Sequence, residues 1–210
     1  TNKGVINHGQ PFTQNFIVER PKLWSPETPV LYKAVSKIYS GDTLLDTYST
    51  RFGIRTIEYI ADKGFYLNGK RRKFQGVCNH HDLGPLGAAI NVSALRHQLI
   101  LLKDMGCDAI RTGHTMPAPE LVELCDEMGI MLMVESFDEW DIAKCENGYH
   151  RFFNEWAEKD IVNMVRHYRN NPSVVMWSIG NEVPTQWKPE GCKAVSYTHL
   201  RAHETSLHLV

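Results

Sequence analysis

No apolar run in this sequence approaches the roughly 20 residues that a helix needs to span a bilayer. Thr1 to Pro11 also lack the charged and apolar regions of a signal peptide. The chain reads as soluble, with no compartment indicated, and because it starts at Thr1 without Met it reads as a fragment. An excess of charge of one sign is missing too. The formal net charge is −1 over 210 residues, so no global basic field exists to hold nucleic acid or an anionic membrane. The five cysteines, Cys78, Cys107, Cys125, Cys145 and Cys192, are odd in number and form no C-x-x-C pair. That fits neither a disulfide framework nor a zinc module and leaves reduced, mostly buried thiols. No G-x-G-x-x-G or Walker sequence offers a phosphate loop. Apolar residues, by contrast, make up 42% of the chain, enough for ordinary packed cores in one or two domains.

From Thr1 to about Ile57 there is no helical period. β-prone stretches such as Phe16-Ile17-Val18 and Val30 to Tyr39 are separated by Pro-rich and Gly-Asp turns, the pattern of an antiparallel β domain. Leu23-Trp24-Ser25-Pro26-Glu27-Thr28-Pro29 cannot form a central strand, since proline lacks the ladder N–H, so it should wrap an edge or corner. Three or four strands are too few for a sandwich of about seven, which implies the C-terminal part of one over residues 1–57.

Near Glu58 the pattern changes. Asn68-Gly69, flanked by Phe65-Tyr66-Leu67 and Lys70-Arg71-Arg72, is a strong hairpin signal because both central residues of a type I′ turn need positive φ. Helices and strands then alternate. Val92, Leu95, Leu99 and Leu102 recur at helical spacing behind Asn91, a good N-cap. Leu121, Leu124, Cys125 and Met128 form a second stripe, ending at Gly129. Ile161, Met164, Val165 and Tyr168 form a third. Cys107 to Arg111 and Ile130 to Val134 lie between these stripes and Ser173 to Ile179 follows the third; Ile130 to Val134 is continuously apolar, as expected of a parallel strand covered on both faces, and Ser173 to Ile179 reads as another buried strand.

This order predicts right-handed βαβ units in a parallel sheet, either doubly wound or part of a (β/α)₈ barrel. Four strand ends supply chemically capable residues: Cys78-Asn79-His80-His81-Asp82, Arg111-Thr112-Gly113-His114, Glu135-Ser136-Phe137-Asp138-Glu139-Trp140 and Gly180-Asn181-Glu182. That distribution suits the C-terminal face of a barrel better than a single switch point. Since a full barrel takes about 250 residues, residues 58–194 should form about its first half.

Glu182 is the leading candidate for chemistry. A carboxylate directly after a buried strand is expected to be desolvated, and its pKa thereby raised, as a general acid needs. The same position also suits a Glu that caps the next helix or pairs with a Lys. Asn181 is suited to a sugar hydroxyl or to shaping the loop, while His80, His81, His114 and Arg111 offer donors. A metal site on His80, His81, Asp82, His114 and Glu135 matches no established ligand spacing. Adjacent strand histidines also point to opposite faces, so His80 and His81 should not share an ion.

These motifs carry a family resemblance. Gly76 to Asp82, Ile110 to His114, Val134 to Trp140 and Trp177-Ser178-Ile179-Gly180-Asn181-Glu182 stand in the order and at the intervals of glycoside hydrolase family 2. The segments Leu23 to Pro29 and Ser49 to Arg55 resemble the end of that family's immunoglobulin-like sandwich. The resemblance covers about residues 10 to 194. It implies retaining hydrolysis of a β-glycoside by two carboxylates, with Glu182 as general acid/base and Asn181 at the glycone 2-hydroxyl. Arg111, His80 and His114, joined by Glu135, match the substrate-binding set. The nucleophile belongs to a later barrel strand, so the chain by itself is expected to be inactive.

Within the family the Ser136 to Trp140 segment resembles β-galactosidases first, β-glucuronidases second and β-mannosidases third. A non-catalytic carbohydrate-binding or interaction fragment is the reading from a different class. Some β-galactosidases carry Mg²⁺ beside the acid/base; here Asp138-Glu139-Trp140 replaces their acidic and histidine motif, so no metal or other cofactor is expected. Val195 to Val210 resembles no family sequence and reads as a non-native, cloning-derived tail.

Overall fold

The chain bends at Asn68-Gly69 as its turn chemistry demands. In the computed structural model, which describes residues 3–5 and 12–184, these two residues have φ of 52° and 73°. They join β4 (Gly64–Leu67) to β5 (Lys70–Arg72), and β3 (Ile57–Ile60) completes a three-stranded antiparallel sheet. Before it, β1 (Tyr32–Ser40) and β2 (Thr43–Phe52) form a separate antiparallel hairpin with a register shift at Ile38/Tyr39. Phe16-Ile17-Val18 departs from expectation. It is exposed coil, because no strand among the described residues pairs with it.

Four parallel strands follow in the order β6-β7-β8-β9: β6 (Gly76–His80), β7 (Ala109–Gly113), β8 (Met131–Glu135) and β9 (Val174–Ser178). They alternate with α1 (Val92–Asp104), α2 (Pro119–Met128) and α3 (Phe153–Tyr168). This is the partial barrel implied by the alternating periods. Asn91 caps α1, its side chain accepting the Ala94 N–H at 2.9 Å, and Gly129 ends α2 in the left-handed conformation. The helical stripes are buried against the outer face of the sheet, with Leu95, Leu99, Leu121, Val122, Met164 and Tyr168 packed on Ile110, Leu132 and Val134. Val92, at the first position of α1, stays exposed.

A second core lies at the N-terminal ends of the strands. Trp24, Phe65 and Leu67 pack there on Ala109, Met131 and Val175. Trp24 is fully buried although its segment forms no strand; its indole N–H donates to the Asp126 carbonyl at 2.9 Å, and its own carbonyl accepts from Asn68 Nδ2 at 3.0 Å. Arg55 donates to the Pro172 and Val174 carbonyls and Tyr59 to the Val175 carbonyl, so the small sheet also pins the start of β9. Asp126 closes the same end by accepting the Ser173 N–H at 2.9 Å and Asn171 Nδ2 at 2.6 Å. Burial pushes the Asp126 carboxyl up, and those hydrogen bonds only partly offset it. The cysteine expectation needs correcting. Of the described thiols only Cys125, on α2, is buried; Cys107 is half-buried, and Cys78, on β6, and Cys145, in the loop between β8 and α3, are exposed. Cys192 and the tail from Val195 lie outside the described residues.

Candidate active site at the strand ends

Parallel strands place their C-terminal residues at one end of the sheet, and β7, β8 and the turn after β9 use that end together. Arg111 on β7 reaches Glu135 on β8 with two bonds, Nε to Oε2 at 2.8 Å and Nη2 to Oε1 at 2.9 Å. The same Nη2 donates to Asn181 Oδ1 at 2.8 Å. His114 Nδ1 lies 2.6 Å from Glu135 Oε1, and Ser178 Oγ donates to Oε2 at 2.5 Å. Arg111 Nη2 also lies 3.4 Å from His114 Nδ1, so the ring nitrogen sits between the guanidinium and the carboxylate. The Glu135 backbone is fixed as well, donating to Thr112 Oγ1 at 3.1 Å.

Glu135 is 0% exposed, which makes its charge tolerable only because donors surround both oxygens. Burial works against the Arg111 charge, but the hydrogen bonds and charge of Glu135 outweigh it and hold the guanidinium above its usual value. His80 extends the group: its ring meets the His114 ring edge-on at 4.9 Å. His81 lies just past the end of β6, and its ring contacts the Ala88 carbonyl at 3.0 Å instead. Arg111, His114, Glu135 and Asn181 thus form one connected network with His80 at its margin.

Glu182 differs from expectation. Its side chain is 81% exposed, not desolvated, and its φ is 48°. The apolar run of β9 stops at Ser178, and the following residues leave the sheet in a turn at an edge that no described strand covers. The carboxylate Oε2 stands 3.6 Å from Lys144 Nζ. The pairing with a Lys that the sequence left open is therefore present, although no sequence signal singled out Lys144.

The segment between β8 and α3 supplies that lysine. Glu139, 3% exposed, accepts the His150 N–H at 2.9 Å, the Lys144 N–H at 2.6 Å and His150 Nδ1 at 2.9 Å. Nearby, Phe137 stacks on Tyr149 and Trp140 on Phe153. The His150 and Lys144 backbone donors, then the His150 ring, push the Glu139 carboxyl down from 4.5 to about 2. A carboxyl lowered on folding contributes stability that is complete above its unfolded value and lost as pH falls through the folded one. Melting temperature should therefore drop as pH falls from 4.5 toward 2, and less steeply in Glu139→Gln. Thermal scans across that window check this, and parallel curves for the two proteins would refute it.

The residues do not fit the Mg²⁺ that the family resemblance raises. Asp138 Oδ1 already accepts Lys144 Nζ at 3.1 Å and Asn181 Nδ2 at 3.1 Å, and Glu139 is turned into the loop core. An ammonium stands where a cation shared by Asp138 and Glu182 would have to sit. Burial alone would raise the Asp138 carboxyl, but the Asn181 and Lys144 hydrogen bonds and the Lys144 charge outweigh it and hold it low.

Residues 59–207 match the model of the glycosyl hydrolases family 2 TIM barrel domain, and residues 1–55 match a second model of glycosyl hydrolases family 2. The chain belongs to glycosyl hydrolase family 2. Among curated family 2 relatives, the β-galactosidase BoGH2A of Bacteroides ovatus is 51% identical over 176 residues, covering 84% of this chain and 21% of its own length. A β-glucuronidase of Streptococcus agalactiae is 34% identical, covering 76% of this chain and 28% of its own length. The crystal structure of a β-glycosidase from Bacteroides vulgatus superposes with a TM-score of 0.79 at 43% identity, covering 86% of this chain and 24% of that one. This family 2 chain spans about a fifth of the length of the curated relatives it matches first.

Proposed function

We propose that this chain is part of a retaining β-glycosidase, with β-galactosides as the substrate class. The observation that carries the reading is the bidentate Arg111–Glu135 pair joined to Asn181, the residue directly before Glu182, at the C-terminal ends of family 2 barrel strands. In this reading Glu182 protonates the departing glycosidic oxygen and then deprotonates water. Asn181 presents Nδ2 and Oδ1 to the glycone, and Arg111, Glu135, His114 and His80 shape its pocket. The exposed carboxylate is accessible to a substrate oxygen. The chain divides in function at residues 57 and 58, between the two stretches that match separate family 2 models.

Residues 1–210 alone should not turn over. Retention needs a second carboxyl about 5 to 5.5 Å from the first, and Glu135 is committed to Arg111, His114 and Ser178. The experiment is a panel of 4-nitrophenyl β-glycosides on a full-length protein carrying this sequence. The galactoside should exceed the glucuronide in kcat/KM by at least about tenfold. A reversed order would favour the β-glucuronidase reading, to which the similarity to the Streptococcus agalactiae protein lends weight. Saturable sugar binding with no turnover on any glycoside would favour a binding module.

A further inference from the structure

Lys144 lies in the segment between β8 and α3, and none of the roles above uses it. Its backbone is fixed from inside by the buried Glu139, so the side chain starts from a set point. From there Nζ approaches three oxygens: the Asn181 carbonyl at 2.9 Å, Asp138 Oδ1 at 3.1 Å and Glu182 Oε2 at 3.6 Å. An ammonium carries three donors, and the three acceptors belong to two different strand-end segments. Among the described residues Lys144 is the one ionic partner of the Glu182 carboxylate. Asp138 also accepts from Asn181 Nδ2, so Asn181 is held through its carbonyl by Lys144 and through its amide by Lys144's own partner.

Glu182 has little else to hold it. It follows a strand edge, is exposed, and has a left-handed φ that a non-glycine residue adopts only at a cost. We propose that Lys144 is a positioning residue for Glu182, its ammonium tying Asp138, the Asn181 carbonyl and the Glu182 carboxylate into one unit. This inference rests on the acid/base reading of Glu182. Lys144 itself transfers no proton in this scheme. A displacement of the carboxylate by about 1 Å can cost on the order of a hundredfold in rate, which sets the size of the effect.

The test uses a full-length protein carrying this sequence, with Lys144→Met and Lys144→Arg made in the wild type and in Glu182→Ala. Lys144→Met in the wild type should lower kcat on an alkyl β-glycoside by about tenfold to a hundredfold, with KM changed less than about threefold. Lys144→Arg, which keeps the charge, should recover kcat to within about threefold of wild type. In Glu182→Ala, where the positioned carboxylate is gone and only the hold on the Asn181 carbonyl remains, Lys144→Met should lower azide-supported turnover of an aryl glycoside by a clearly smaller factor than its loss in the wild type. An equal loss in both backgrounds, or unchanged kcat in the wild type, overturns the proposal. If Lys144→Met does not fold by circular dichroism, Lys144→Gln carries the same cycle. Glu182→Ala without any leaving-group dependence would instead defeat the acid/base reading itself, and the Lys144 role with it.

Discussion

Glu182→Ala in a full-length protein carrying this sequence should slow hydrolysis of alkyl β-glycosides by about a hundred- to ten-thousand-fold. It should slow 4-nitrophenyl glycosides much less in their first step. The difference follows from where the proton is needed. An alkoxide leaves poorly without protonation in the transition state, whereas an activated phenolate departs unaided, so only the former depends on a carboxylic acid beside the glycosidic oxygen. For aryl substrates the glycosyl-enzyme should then accumulate, because its hydrolysis still needs a general base. Azide, a small anion that requires no deprotonation, should restore turnover and give the β-glycosyl azide. An α-azide product would make Glu182 the nucleophile, and unchanged kinetics on every leaving group would reduce it to a surface residue.

The barrel strands and helices were legible because each carries a repeated signal. Ile161, Met164, Val165 and Tyr168 recur at helical spacing, and all four are buried on α3. The run through Met131 to Val134 is apolar without alternation, and β8 lies inside the sheet between β7 and β9. Asn68-Gly69 was legible from turn chemistry alone. The N-terminal segment was harder. Phe16-Ile17-Val18 has strand composition but no pairing partner among the described residues, and composition cannot supply one. Trp24 was placed correctly outside any strand, yet its burial depends on the Asp126 carbonyl, far away in sequence, which no local pattern reveals.

The site was half legible for the same reason. Glu135 ends β8, His114 and Asn181 follow β7 and β9, and Arg111 lies within β7 with a side chain long enough to reach them, so parallel strands bring these positions to one end. The burial expected for Glu182 came from its distance to an apolar run, but burial depends on what lies beside a residue in space, and the turn after Ser178 carries it outward. Lys144 sits in a loop without periodicity. Its approach to Glu182 is set by Glu139 folding inward onto His150, and polar residues in a loop usually imply solvation rather than a buried latch.

Arg111→Met should destabilise the folded protein by about 2–4 kcal/mol, somewhat less than the loss typical of a fully buried pair because the Arg111 side chain is 32% exposed. The cost comes from the partner left behind. Glu135 would keep its contacts with His114 Nδ1 and Ser178 Oγ but lose the only fixed positive charge bonded to its buried carboxylate among the described residues. Glu135→Leu removes that stranded charge, so the double variant Arg111→Met/Glu135→Leu should be more stable than Arg111→Met alone by about 1–2 kcal/mol. Activity should not return with it. Asn181 Oδ1 is held by Arg111 Nη2, and without that bond the residue preceding Glu182 loses its anchor to β7 in both variants. Urea unfolding midpoints of the wild type, both single variants and the double variant complete the cycle, with glycoside turnover measured on the same samples. Additive losses in stability would show that Arg111 and Glu135 do not act as a pair, and recovered turnover in the double variant would detach Asn181 positioning from Arg111.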